Sequence, residues 1–329
     1  MSRTSSMVQR NQNFWGTAVG RRLHRIAGIM LIGILLPACA GSPPPSVSMP
    51  EDIRETTYYA RKAVKLFRKG CYAGALDYFQ DAHERYAAAD QLEGVAHSLN
   101  GIADIYHRWG EIQSAVKVYD DVIEIYQSLD DSQGVIQVLC NKSAALIALD
   151  RLETAAEILR QADALDRSGN QTPIRLRTRA LLSIRKNEPQ LAREQLDQAL
   201  AAAEADQPMQ SSIFYAKGHV ELTADRPAQA KVFFGQALHL DRAAGAYHDI
   251  ARDLQSLGTC HARLGDHRQA LNHFKRSAKI FALLKDQRRA TEVIEQLEKS
   301  ARRAGADIQT TLQWIHQWML NPNDGQICD

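Results

Sequence analysis

One skeleton recurs six times along this chain at near-constant spacing. "CYAGALDYFQDA" (71–82), "EIQSAVKVYDDV" (111–122), "RLETAAEILRQA" (151–162), "EPQLAREQLDQA" (188–199), "RPAQAKVFFGQA" (226–237) and "DHRQALNHFKRS" (266–277) follow short turns at Gly70, Gly110, Asp150, Asn187, Asp225 and Gly265. The intervals are 40, 40, 37, 38 and 40 residues. A unit of that length cannot enclose a core alone. It must stack on its neighbours, so the period fixes an elongated, repetitive architecture before any single element is placed.

The same residue types return at fixed distances from each turn. Five residues after it stands Ala75, Ala115, Ala155, Ala192, Ala230 or Ala270. Nine after it stands Phe79, Tyr119, Leu159, Leu196, Phe234 or Phe274. Seven before it stands Ala63, Ala103, Ser143, Ala180, Gly218 or Gly258. Two antiparallel helices approach closely only where one offers a small side chain, and a bulky residue on the next turn fills the space beside it. Turns of Gly, Asp and Asn supply the left-handed backbone between them. Strand patterns are absent and Ala, Leu, Gln, Glu and Arg are abundant, so the reading is all-α.

This skeleton resembles the tetratricopeptide repeat, in a longer variety of about 40 residues. "GVAHSLNGIADIYHRWGEIQSAVKVYDDVIEIYQSLDD" (94–131) is its fullest copy. Pro189 and Pro227 stand just after two turns, where the family usually has an aromatic, and Ser183 and Glu221 replace the aromatic four before the turn. The resemblance implies a right-handed superhelix, an α-solenoid of about six helix-turn-helix repeats over 55–287, with the first helices lining a concave groove. Residues 288–320 read as capping helices, the first ended by Gly305, and 321–329 as a tail. In the last helix Ile308, Leu312, Ile315 and Met319 form an apolar stripe. Trp314 and Trp318 beside it are expected to seal the end of the stack.

The N-terminus reads as an address. "RRLHR" (21–25) is a positive segment and "IAGIMLIGILL" (26–36) an apolar run of 11 residues. That is about half of what a membrane-crossing helix needs and suits a secretory signal. "LPAC" (36–39) resembles the lipobox of bacterial lipoproteins. The resemblance implies a signal peptide over 1–38, removed before Cys39, and a lipid anchor on Cys39, where two or more acyl chains hold stably. The proline-rich stretch 39–54 then reads as a tether. Ala40 after the cysteine implies, by likeness to Gram-negative lipoproteins, the periplasmic face of the outer membrane. The alternative is a soluble cytoplasmic scaffold of the same repeat type with a mis-assigned start.

Other classes are excluded or unsupported. Five arginines and no acid precede Cys39, which leaves 35 Lys+Arg against 38 Asp+Glu in the remainder. A nearly neutral body gives no reason to expect nucleic acid. No HExxH, GxSxG, Walker or GxGxxG pattern occurs, so no catalytic residues, cofactor, metal or small-molecule substrate are expected and the chain reads as a non-enzyme. His261, His267 and His273 are six apart, a spacing that scatters side chains on a helix. Cys71, Cys140, Cys260 and Cys328 are widely spaced without a CxxC pair, and isolated thiols are the favoured reading.

What remains is the groove. Places 13, 10, 6 and 3 before each turn form one stripe on each first helix. The candidate partner-binding residues on it are Asn100, Asp104 and His107, Arg177, Tyr215 and His219, and Arg252 and Gln255, with Asn141 beside the stripe of the third repeat. By likeness to the family, Asn100 and Asn141 are placed to grip the main chain of a protein or peptide partner. Arg177 and Arg252 could take a carboxylate, although the Lys/Arg/Asn pattern of the family's chaperone-tail clamps is not reproduced.

Overall fold

The computed structural model describes residues 51–167, 172–320 and 326–328. The signal, Cys39 and nearly all of the tether lie outside them. The described residues form fourteen α-helices and no strand. Repeat one pairs α1 (Glu51–Lys69) with α2 (Tyr72–Ala88), and repeat two α3 (Leu92–Trp109) with α4 (Ile112–Ser128). Repeats three and four are α5 (Ser132–Ala148) with α6 (Leu152–Leu165), and α7 (Thr172–Arg185) with α8 (Pro189–Ala202). Repeats five and six are α9 (Gln207–Thr223) with α10 (Pro227–Ala244), and α11 (Tyr247–Arg263) with α12 (His267–Leu283). The chain ends with α13 (Gln287–Ala304), α14 (Gln309–Leu320) and a short 3-10 turn, Gln326–Cys328. Helix α1 begins at Glu51, so the last residues expected as tether are helical.

The turns behave as their residue types dictate. Gly70, Gly110 and Gly265 have φ of 86°, 90° and 81°, and Asp150, Asn187 and Asp225 of 61°, 60° and 53°. Asp and Asn are the non-glycine residues that best tolerate this left-handed region. Aspartate also serves as a helix cap, after a completed hairpin at three places and inside the sixth hairpin at Asp266. Asp131, Asp206, Asp266 and Asp286 accept from the backbone N–H three residues on and so cap α5, α9, α12 and α13. Pro189 and Pro227 open α8 and α10 at a position that has no N–H partner to lose.

The seam inside each hairpin is the predicted one. All six alanines five residues after the turns are fully buried, and so are the bulky partners from Phe79 to Phe274 to within 2 %. A Cβ on Gly218 would lie 2.6 Å from the Phe234 ring, and one on Gly258 2.6 Å from Phe274. The two departures from the family pattern are resolved by polar contacts. Glu221 is buried and paired to Arg193 at 2.7 Å and Arg226 at 2.8 Å, and Ser183 donates to Gln195 at 3.1 Å.

The stack does not stay open. Tyr72 at the start of α2 rests on His248 of α11, with ring centroids 4.9 Å apart. Arg108 of α3 pairs with Asp249 of α11 at 3.0 Å. Leu66, Cys71 and Tyr72 share an apolar cluster with Leu284, with Tyr247 and Ile280 packed against it. Cys71 and Cys328 form a disulfide across 257 residues. The repeats therefore close one turn into a ring. The expectation of isolated thiols is corrected for this pair, because superhelical closure brings the two ends of the array together. Cys140 and Cys260 are buried free thiols.

At the end of the array Ile308 and Ile315 are buried and Leu312 and Met319 pack beside them. Trp318 joins this core, but Trp314 is 51 % exposed, so only one tryptophan seals the end. The residue expected to be merely tail, Cys328, is the staple.

Candidate functional site: the inner wall

Ring closure turns the concave groove into an inner wall. It is built from the first helix of each hairpin, because the small-residue seam faces the second helix and the stripe beside it points inward. Two hydrogen-bonded clusters stand on this wall. In the first, the Asp104 carboxylate accepts from the Tyr119 hydroxyl at 2.5 Å and from the Asn141 amide at 3.2 Å. Gln137 donates to the other end of Asn141 at 3.5 Å. Burial pushes the Asp104 carboxyl up to about 6, against the Tyr119 hydrogen bond and the charges of Arg108 and Arg177. Asn141 is thus engaged within the wall, whereas the buried Asn100 carbonyl oxygen has no partner among the described residues.

The second cluster spans the closure. Asp249 accepts from Arg108 at 3.0 Å and from Arg252 at 2.9 Å. Burial opposes ionisation of Asp249, but Arg108, then neighbouring His248 and Arg252, hold its carboxyl well below the usual range. The Arg252 guanidinium lies 4.1 Å from the centre of the Tyr215 ring, a stacking contact suited to a delocalised cation. His219 packs edge-on against Tyr215 at 4.6 Å and Phe234 at 5.3 Å. Burial lowers His219 and His107 to about 4, helped by Arg252 in the first and by Arg108, Arg177 and Arg252 in the second. Both imidazoles are neutral at pH 7. Arg108 and Asp249 keep 34 % and 30 % of their side-chain surface accessible. They are surrounded by protein and still face a space that water reaches.

Of the candidate residues, the structure brings Asp104 and Asn141 into contact, and Tyr215, His219 and Arg252 into contact. His107 and Arg177 sit within electrostatic reach of the second cluster. Arg177 donates to Ser212 at 2.8 Å. Gln255 stands apart and donates weakly to Gln296 of α13 at 3.4 Å. Sequence reading missed Arg108 and Asp249. Arg108 lies one place off the stripe, and Asp249 lies 141 residues from it at the start of α11. Only closure joins them.

The inner face continues into a cleft of about 380 Å³ between α11, α12 and α13, with Phe274 and Ala262 as apolar lining. Arg263, Lys299 and Arg303 supply its charge and no carboxylate lines it. The histidines correct an expectation here. His261 and His273 do not scatter but stack across the turn, with centroids 5.2 Å apart. Among the described residues no three His, Cys, Asp or Glu side chains converge on a metal position.

The helix hairpins and the inner wall define an α-solenoid, and comparison with known proteins specifies its fold. The family model of the tetratricopeptide repeat matches residues 54–128 and 209–282. Repeats three and four fall between these stretches, yet carry the same buried seam at Ala155, Leu159, Ala192 and Leu196. The chain is similar to a Rap protein solved in complex with competence and sporulation factor, with 14% identity over 76% of each chain and a TM-score of 0.54. It is similar to the Cut9–Hcn1 hetero-tetramer of the APC/C, with 16% identity over 76% of this chain and 46% of that one, at 0.52. A signal-transduction ATPase with a tetratricopeptide repeat sensor from Pyrococcus horikoshii gives 14% identity, 82% and 46% coverage and 0.52. No curated protein matches the sequence at a significant level. The fold is a tetratricopeptide-repeat superhelix.

Proposed function

We propose that this chain is a lipoprotein scaffold of the bacterial envelope. It is tethered through Cys39 to the periplasmic face of the outer membrane, and it holds a segment of another protein against its inner wall while an envelope complex assembles. The observation that carries the binding role is the wall itself. Polar groups from five first helices converge there, although polar side chains are ordinarily left to solvent on the outside. The Rap protein and Cut9, with the same fold, were each solved with a partner. The location is supported by the signal-like segment before Cys39 and by the Cys71–Cys328 disulfide, since such bonds persist in oxidising compartments.

Two measurements test the proposal. Metabolic labelling with palmitate should mark the wild type and not Cys39→Ala; absence of label on the wild type removes the anchor. Crosslinking from membranes should recover a partner with the wild type and much less of it with an Asn100→Ala/Tyr215→Ala/Gln255→Ala variant. Equal recovery removes the inner wall as the binding surface.

A further inference from the structure

Helix α7 carries three arginines in alternation, and they are treated differently. Arg175 is paired to Asp163 and Asp166, and Arg179 to Asp163. Arg177, between them, points inward and has no carboxylate within ion-pair reach among the described residues. One of its terminal nitrogens donates to Ser212 at 2.8 Å, and its Nε, buried, has no partner. Two more guanidiniums, Arg108 and Arg252, face it from α3 and α11 and repel it. They share one acid, Asp249, between them. The remaining groups around Arg177 are Asp104, already bonded to Tyr119 and Asn141, the buried Cys140 thiol, and neutral His107. Burial, and then repulsion by Arg108 and Arg252, lower the Arg177 guanidinium to about 10.

An unneutralised guanidinium in such surroundings is costly unless something supplies the missing charge. We propose that the inner wall carries an oxyanion site centred on Arg177 and bounded by Ser212, Arg108 and Arg252, which takes a carboxylate of the bound protein segment or a free phosphate. A planar carboxylate or a phosphate accepts from the free edge of a guanidinium in the forked geometry that arginine favours. This deepens the proposed function, and rests on it only for the peptide source of the anion.

The test uses the full chain and two probes at constant ionic strength, acetyl-triglutamate and inorganic phosphate, with acetyl-triglutamine amide as the neutral control. The wild type should show saturable thermal stabilisation with at least one probe and none with the control. Arg177→Gln should bind that probe at least tenfold more weakly, and Arg185→Gln, on the same helix but facing out, should bind as the wild type. A response to triglutamate identifies a peptide carboxylate as the source, and a response to phosphate alone a free anion. Circular dichroism confirms that each variant is folded, and Arg177→Lys, which keeps the charge without the fork, provides a second variant. No saturable response to either probe, or wild-type binding by Arg177→Gln, overturns the site. Partner recovery by crosslinking is read separately, so the site can fail while the scaffold role stands.

Discussion

Replacing Cys328 by serine removes the staple and touches little else, because Cys328 is only partly buried and belongs to a short 3-10 turn. The bond joins positions 257 residues apart. In the chain-entropy description a crosslink removes about 2.1 + 1.5R ln n cal/mol/K from the unfolded ensemble, which for this span is about 18–19 cal/mol/K, or about 5.5 kcal/mol at 25 °C. That is an upper figure. A repeat array can unfold in parts, and a crosslink constrains the ensemble fully only when the whole span is unfolded. Measured losses of about 2–5 kcal/mol are the expected range. The noncovalent contacts of the closure, Tyr72 on His248 and Arg108 with Asp249, remain in the variant. The folded variant should therefore keep its helix content. The assay is guanidinium unfolding followed at 222 nm, with and without dithiothreitol, after a non-reducing peptide map has shown the Cys71 and Cys328 peptides linked. Oxidised wild type should unfold at the highest denaturant concentration. Dithiothreitol should bring the wild type to the Cys328→Ser curve and leave the variant unmoved. Superimposable curves for oxidised wild type and variant would refute the entropic reasoning, and a map without the linked peptide would refute the Cys71–Cys328 pairing.

Two further outcomes follow from the packing and the buried charges. Gly218→Ala places a methyl about where Phe234 already lies and should cost about 1–3 kcal/mol by overpacking. Phe234→Leu should cost a similar amount alone, and the double variant less than the sum; strictly additive midpoints in urea would show that the two positions do not share one seam. Asp253 on α11 is buried, and burial together with neighbouring Asp241 pushes its carboxyl up to about 9. Its folded value lies above the unfolded value of about 4, so the folded chain holds an extra proton and loses stability as pH rises from about 4 through about 9. Asp253→Asn should flatten the fall in melting temperature between pH 5 and 9, and parallel profiles would contradict it.

The legible part of this protein is the part written in short-range spacing. The hairpins, their turns and the seam of small against large residues depend on contacts between residues a few turns apart, so a period of about 40 displays them directly. The stripe that becomes the inner wall is legible for the same reason. Distance to a turn alone marks Asp104, Tyr215 and Arg252. Asn141 shows the limit of that reading, since its residue type suggests a free gripping amide while its neighbours Asp104 and Gln137 occupy it. Arg108 is not legible in this way, because one residue of offset carries it off the stripe.

What only the tertiary structure decided is closure. Each hairpin is rotated slightly against the last, and whether the accumulated rotation leaves an open arc or returns α11 to α3 is set by the sum over all repeats. No local pattern records that sum. The ring, the pairing of Cys71 with Cys328, the shared Asp249 and the uncompensated charge of Arg177 all depend on it, because each arises from groups that lie far apart in the chain and meet only when the turn is complete.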